Sequence, residues 1–243
     1  MLNDFLNTRF GTRFSPTVPF GRLLFSLMRG EKLTYEYGRR HLPKLPAGGG
    51  RLLDFGCGNG TFLVSALRMG WKVEGMDPDP LAVDAAQTAG LNVNCGGLEL
   101  LDGRTSEFDY ITLNHVIEHV HDPELLVRVC HRMLRKGGTL YIETPNIDAF
   151  GHKQFGPAWR GLEPPRHLVL FSRSGIDALL RRVGFATVSN LPAVDAYPWI
   201  AEESRRLASL AQPPLSCDGD HPLDAGLDRG QPEFLTLGAV KVA

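Results

Sequence analysis

The chain lacks the features that mark a disulfide scaffold, a membrane span or a polyanion-binding surface. Among its 243 residues are four cysteines, Cys57, Cys95, Cys130 and Cys217, with no Cys-x-x-Cys pair, so neither a disulfide framework nor a zinc knuckle is expected. Reduced thiols of this kind suit a cytoplasmic protein. No apolar run approaches the length of a membrane span, and the first ten residues lack a basic start followed by an apolar core, so membrane insertion is not expected. Charge of one sign is not in excess: Lys+Arg 26 against Asp+Glu 27 leaves a net charge of -1, which provides no global field for nucleic acid or an anionic membrane. A small neutral or mixed-charge substrate fits this balance, and the oligomeric state cannot be read from it. No internal repeat is visible. Hydrophobic residues at 43% and charged residues at 22% are ordinary for a globular chain, and the length allows one substantial α/β domain.

What is present is a short apolar run that ends in an acid and then in alternate glycines, Leu52-Leu53-Asp54-Phe55-Gly56-Cys57-Gly58-Asn59-Gly60. Glycine lets a backbone turn tightly and lets a ligand approach without a Cβ in the way. A dinucleotide fingerprint needs glycine or alanine at position 61, where this chain has Thr61. The acid Asp54 suits a ligand with an ammonium group and repels a pyrophosphate. Asp77 stands 19 residues beyond Gly58 at the end of the next apolar run, where a carboxylate accepts hydrogen bonds from ribose hydroxyls. The Asp77-Pro78-Asp79-Pro80 segment also reads as a helix-capping turn, a role compatible with the first.

Around these residues, apolar segments of period two alternate with helical ones. Strands are expected over 72–76, 92–95, 108–113, 139–143, 185–189 and 234–241, and helices over 61–69, 80–89, 122–134 and 174–183. Such alternation predicts an α/β fold with a doubly wound, mostly parallel sheet and ligands at the carboxyl ends of its strands. Residues 1–46 are expected to form an N-terminal helical cap, with a helix near 30–41, and residues 47–243 the cofactor-binding domain. A stretch rich in Pro, Gly and Asp near 212–232 is expected to be a mobile loop.

The glycine motif, Asp77, the Gly97-Leu98-Glu99 segment after the third strand and the Leu134-Arg135-Lys136-Gly137-Gly138 turn before the fifth resemble, in type and spacing, the motifs of class I S-adenosylmethionine-dependent methyltransferases. The likeness runs over about residues 50–190 and is greatest to the ubiquinone-biosynthesis O-methyltransferase-like group. It implies a Rossmann-like seven-stranded sheet whose last strand, 234–241, is antiparallel, and S-adenosyl-L-methionine as cofactor. Carried onto this chain, Asp54, Gly56, Cys57, Gly58, Asn59 and Gly60 would embrace the methionine portion. Asp77 would hold the ribose, with Pro78 beside it among the cofactor-binding residues, Leu98 and Glu99 would border the adenine, and Asn114 would close the site near the sulfonium. Tyr35 and Tyr37 of the cap are candidates to cover the cofactor. No Asn-Pro-Pro-Tyr follows the fourth strand, which disfavours amino-group methylation of nucleobases.

The acceptor side is read from histidines. His115-Val116-Ile117-Glu118-His119 matches the His-x-x-Glu-His pattern of zinc peptidases, which needs a helix, with Glu202 or Glu203 as a further ligand. In the resembling O-methyltransferases the matching segment has an acid where this chain has His115, and it is proposed there to hold a divalent cation. That replacement weakens the case for a hard metal, and no metal ligands are assigned. The expected catalytic residues are His167, His119 and His115, because an imidazole titrates near neutrality and can take the proton of a hydroxyl acceptor. Trp159 and Arg166, in the connection after the fifth strand, are expected to bind substrate, Arg166 through a carboxylate or phosphate. The function expected is methylation of a small molecule, foremost O-methylation of a sugar, phenol or secondary metabolite. The alternatives are a non-catalytic cofactor-binding partner subunit and a zinc hydrolase.

Overall fold

The computed structural model describes residues 2–242 except 11, 19, 21, 22, 24, 26 and 211–229. The loop expected near 212–232 therefore lies outside the described residues for most of its length. In chain order the elements are α1 (Leu2–Phe10), α2 (Arg29–Tyr37), β1 (Arg51–Phe55), α3 (Thr61–Arg68), β2 (Lys72–Asp77), α4 (Pro80–Thr88), β3 (Val93–Cys95) and β4 (Phe108–Asn114). There follow α5 (Pro123–Met133), β5 (Leu134–Pro145), α6 (Phe150–Phe155), α7 (Arg173–Val183), β6 (Phe185–Asn190), α8 (Tyr197–Leu210) and β7 (Phe234–Lys241).

The strands form one seven-stranded sheet in the order β3-β2-β1-β4-β5-β7-β6. The pairs from β3 to β5 are parallel, and β7 runs antiparallel between β5 and β6. Leu52 and Leu53 of β1 are both fully buried, as neighbouring residues must be when helices cover both faces of a parallel sheet. One face is covered by α5 and α7, whose Leu126, Cys130, Ile176 and Leu180 meet Ile111, Leu113 and Ile142 of the central strands. The other is covered by α3 and by the N-terminal segment: Phe5, Leu6, Phe10 and Leu42 share a core with Leu52, Trp71, Tyr110 and Tyr141. The segment expected as a cap thus contributes directly to one face of the sheet.

Local chemistry fixes the helix starts. Asp79 accepts from Leu81 N at 2.9 Å with Pro80 in the first turn, and Asp122 accepts from Leu125 N at 2.9 Å with Pro123 likewise placed. Several elements depart from expectation: α1 and α6 were not among the expected helices, and two further departures bear on the site. The Lys136-Gly137-Gly138 turn belongs to β5, where the register against β4 shifts between Phe108 and Tyr110, so the turn is a bulge within a longer strand. The helix α8 was not anticipated, although Tyr197, Ile200, Ala201, Ser204 and Ala208 form a buried stripe at helical spacing.

Candidate active site

The site is built along the carboxyl edge of the sheet. After β1 the chain turns through Gly56, Gly58 and Gly60 with φ of 71°, 53° and 79°, all in the left-handed region that favours glycine. The three differ in what a side chain would meet. A Cβ on Gly56 would lie 2.5 Å from Val116 Cγ2 and one on Gly60 2.2 Å from Leu91 Cδ1, whereas one on Gly58 would meet nothing within 4 Å. Gly58 therefore presents bare backbone to open space. Asp77 organises this turn, accepting from Gly58 N at 2.8 Å and from Asp79 N at 2.9 Å. Pro78 is exposed beside it, and Asn59 accepts from the Thr61 hydroxyl at 2.8 Å at the start of α3. Cys57 is buried, and burial, reinforced by Asp54 and Asp77, pushes its thiol up to about 12, so it is an inert packing residue.

Asp54 is fully buried beneath the glycines. Its Oδ1 accepts from the Thr112 hydroxyl at 2.6 Å and from Arg40, whose Nη1 also reaches Thr112 Oγ1 at 3.0 Å. Burial raises the Asp54 carboxyl above its ordinary value, an effect opposed by Arg40 and Thr112. Asp54 Oδ2 is buried with no hydrogen-bond partner among the described residues. A buried carboxylate oxygen left unpaired two residues before the glycine turn is the kind of group that a donor-rich ligand such as an ammonium satisfies. Neither Arg40 nor Thr112 was anticipated. They lie 14 and 58 residues from Asp54, and only the fold brings them together.

Farther along the edge, Leu98 opens a short 3-10 turn, Leu98–Leu101, and packs partly buried against the core. Glu99 accepts from Gly97 N at 2.6 Å, which holds its exposed carboxyl below the ordinary range. Asn114 ends β4 half-buried, paired with Glu143 of β5.

The acceptor side begins at His115, which has φ of 53° and starts a turn that becomes only a 3-10 segment, Ile117–His119. The helix that the zinc-peptidase pattern requires is absent here, and Glu202 and Glu203 lie on α8 outside this group, so that reading is corrected. Moreover, both ring nitrogens of His115 face carboxylates, Nδ1 at 3.2 Å from Glu118 Oε1 and Nε2 at 3.3 Å from Glu143 Oε1. Burial alone would lower the His115 pKa, but the two carboxylates outweigh it and raise it to about 9. At neutral pH it is an imidazolium, which removes it as a general base. Glu143 is nearly buried and also accepts from Tyr37 at 2.7 Å and Tyr141 at 2.9 Å. Burial would raise its pKa, but His115 and the two phenols keep it low. Tyr37 is thus tied to the sheet edge, while Tyr35 packs against Phe25 in the core.

His119 and His167 are brought side by side, ring centroids 4.8 Å apart, because the Glu118 carbonyl accepts from Leu168 N at 2.8 Å and Val169 N at 3.2 Å. His119 Nδ1 donates to the Arg166 carbonyl at 3.0 Å and His167 Nδ1 to the Gly161 carbonyl at 2.8 Å. In the neutral ring each Nε2 then carries a lone pair. Burial lowers the His167 pKa, so it is neutral at neutral pH. Glu163 Oε2 lies 3.4 Å from His167 Nε2, and its pairing with Arg160 and Arg166 holds the Glu163 carboxyl down to about 2. A proton arriving at His167 Nε2 meets a fixed anion.

These groups surround a cavity of about 230 Å³ that also has Pro145, Trp199, Ile200 and Phe234 in its walls. Arg166 lies at its rim with its side chain 67% exposed. Trp159, expected to bind substrate, is 1% exposed and donates its indole N–H to Glu233 at 2.8 Å. It is a core residue of the α6–α8 corner, and the aromatic wall of the cavity is instead Trp199 and Phe234. Glu118, His119 and His167 each offer one ligand atom within 4.8 Å of the others, a set that includes His167 and leaves out His115.

A protein-family model described as a methyltransferase domain matches residues 29–190. The chain belongs to the S-adenosylmethionine-dependent methyltransferase family. The ubiquinone biosynthesis O-methyltransferase of Xanthomonas oryzae pv. oryzae is 34% identical over 110 residues, 42% of this chain and 46% of that protein. A protein of the same name from Rhizobium etli is 32% identical over 140 residues, 55% of this chain and 56% of that protein. The chain spans about half the length of the curated relatives it matches. Among solved structures, an S-adenosylmethionine-dependent methyltransferase from Mesorhizobium loti is 22% identical with a TM-score of 0.59, covering 86% of this chain and 98% of that one. Phosphoethanolamine N-methyltransferase 2 of Haemonchus contortus, solved with S-adenosylhomocysteine, is 19% identical with a TM-score of 0.61, covering 89% and 53%. These structures share the methyltransferase fold. Among the described residues no helix is long and apolar enough to cross a membrane.

Proposed function

We propose that this methyltransferase transfers the methyl group of S-adenosylmethionine to a hydroxyl of a small molecule, a phenol, sugar or secondary metabolite, held in the cavity beside His167. The observation that carries this reading is the pairing of a neutral, buried imidazole, its Nε2 lone pair set by the Gly161 carbonyl, with the Glu163 carboxylate at 3.4 Å. A sulfonium supplies an already activated methyl group, so the protein's task is alignment, worth about 7–11 kcal/mol, and removal of one proton. The bare backbone at Gly58, the orphaned oxygen of Asp54 and the carboxylate of Asp77 are the groups assigned to the cofactor. Leu98, Glu99, Pro78 and Asn114 are assigned to its rim. His167 takes the acceptor's proton, Glu163 stabilises the resulting imidazolium, and Trp199 and Phe234 flank the acceptor ring. His119 is the second base beside it.

The test is a screen of hydroxylated metabolites with methyl-labelled S-adenosylmethionine, which should reveal at least one acceptor whose labelling rises with pH as His167 loses its proton. Cofactor binding without transfer to any hydroxyl compound would favour a non-catalytic subunit instead. The juxtaposition of Glu118, His119 and His167 favours a second reading, a transition metal at this set; stoichiometric zinc in the purified protein would support it.

A further inference from the structure

The cavity beside His167 has two unlike ends. Its inner wall at His115 is backed by two buried carboxyl groups, Glu118 and Glu143, which share that one imidazole at 3.2 and 3.3 Å. Two acids against one ring leave no spare cation there, and a ligand anion is repelled from that end. The other end is the rim, where two arginines meet a single acid. Arg160 grips both oxygens of Glu163, Nη1 on Oε2 at 2.8 Å and Nη2 on Oε1 at 3.1 Å, while Arg166 adds one contact, Nη1 on Oε1 at 3.1 Å. One guanidinium satisfies the carboxylate and the other is surplus.

The surplus one is within reach of a ligand. The Arg166 side chain is 67% exposed against 27% for Arg160, and its Nε and Nη2 have no hydrogen-bond partner among the described residues. Those two donors form the fork that a carboxylate meets with both oxygens. The backbone that carries them is fixed, since Arg166 N donates to the Glu163 carbonyl at 2.9 Å and the Arg166 carbonyl accepts from His119 at 3.0 Å. Neither Glu202 nor Glu203, one turn beyond Trp199 on α8, lines the cavity, and Glu203 is taken by Arg206 at 2.9 Å.

Scale completes the picture. Glu163 stands between base and cation, its Oε2 3.4 Å from His167 Nε2 and its Oε1 3.1 Å from Arg166 Nη1, so a single ring spans from one to the other. The cavity's 230 Å³, below the roughly 300–1,000 Å³ of pockets that hold drug-sized ligands, suits a ligand of that size.

We propose that the acceptor is a compact hydroxy acid, a single ring with its hydroxyl at His167 and its carboxylate on the free edge of Arg166, which makes Arg166 the residue that selects it. The proposal rests on the reading that a hydroxyl is methylated beside His167. A carboxylate matches the one surplus cation; a phosphate dianion would find no second, because Arg160 is committed to Glu163.

The experiment is calorimetric titration of the full chain, with S-adenosylhomocysteine present, by 3- and 4-hydroxybenzoate and by their methyl esters, which keep the ring and remove the charge. At least one acid should bind about tenfold or more tightly than its ester, and added salt should narrow the gap. Arg166→Met should bring that ratio close to one, with circular dichroism and melting nearly unchanged because the side chain is mostly in solvent. Arg166→Lys should restore only part of the preference, since an ammonium lacks the fork. Acids that bind no tighter than their esters, or a preference that survives Arg166→Met, would overturn the proposal. A labelled-methyl assay on the same compounds separates it from the reading beneath it. Tight binding of an acid without transfer supports the anion site and counts against hydroxyl methylation, whereas esters methylated as fast as acids overturn the anion site and leave hydroxyl methylation standing.

Discussion

The two halves of the sheet's carboxyl edge are built from different materials. The half formed by β1 and β2 works through backbone: three glycines, one of them open to space, drawn into shape by Asp77 from only 19 residues away. The half formed by β4, β5 and the chain after β5 works through buried side-chain charge, with His115 between Glu118 and Glu143 and Glu163 between two arginines and His167. A backbone cradle suits a ligand that never varies. A cage of side chains can be re-equipped for different acceptors while the cradle stays as it is, which is how one fold serves many substrates.

If this division holds, substitutions in the two halves should have separable effects. The largest is expected at His167. With an acceptor in hand, His167→Ala should lower turnover by about 10²- to 10⁴-fold in steady-state assays. Next comes the buried pair beneath the cradle. Arg40→Met leaves the fully buried Asp54 carboxyl without its cation, and chemical denaturation should show a loss of about 3–5 kcal/mol. The glycines sharpen the comparison within the cradle itself. Gly60→Ala combines backbone strain with a clash on Leu91 and should cost about 2–4 kcal/mol, whereas Gly58→Ala carries only the strain, about 1–2 kcal/mol. Equal melting temperatures for these two variants would contradict the assignment of Gly58 to open space. The last comparison is a pH dependence. The His115 pKa is raised in the fold from 6.5 to about 9, so its stabilisation is complete below about 6.5 and is lost as pH rises through about 9. Melting followed across that window should fall in the parent, and this part of the fall should be missing in His115→Gln.

What could be read in advance follows the same division. The glycine turn, Asp77 at a strand end and the alternation of strands with helices were legible because their logic is local: a glycine spacing, an acid at a strand end, alternating periods. The side-chain half was legible only as a set of residue types. His115 looked like a base, yet Glu143, 28 positions on, makes it a cation. Trp159, set among glycines and a proline, looked like a substrate wall, but Glu233, 74 residues away, supplies a buried acceptor for its indole. Tyr37 meets Glu143 across 106 residues. Pairs so distant in sequence leave no periodic signal. The stripe on α8 did leave one, and Trp199, which that helix delivers to the cavity, could have been found from it.

The division between cradle and cage is tested most directly by titrating S-adenosylmethionine calorimetrically into the parent chain, Asp77→Ala and His167→Ala. The account predicts one site per chain in the parent, an affinity at least about tenfold weaker in Asp77→Ala and an unchanged affinity in His167→Ala. Equal affinity in the parent and Asp77→Ala, or a loss in His167→Ala as large as that in Asp77→Ala, would contradict it.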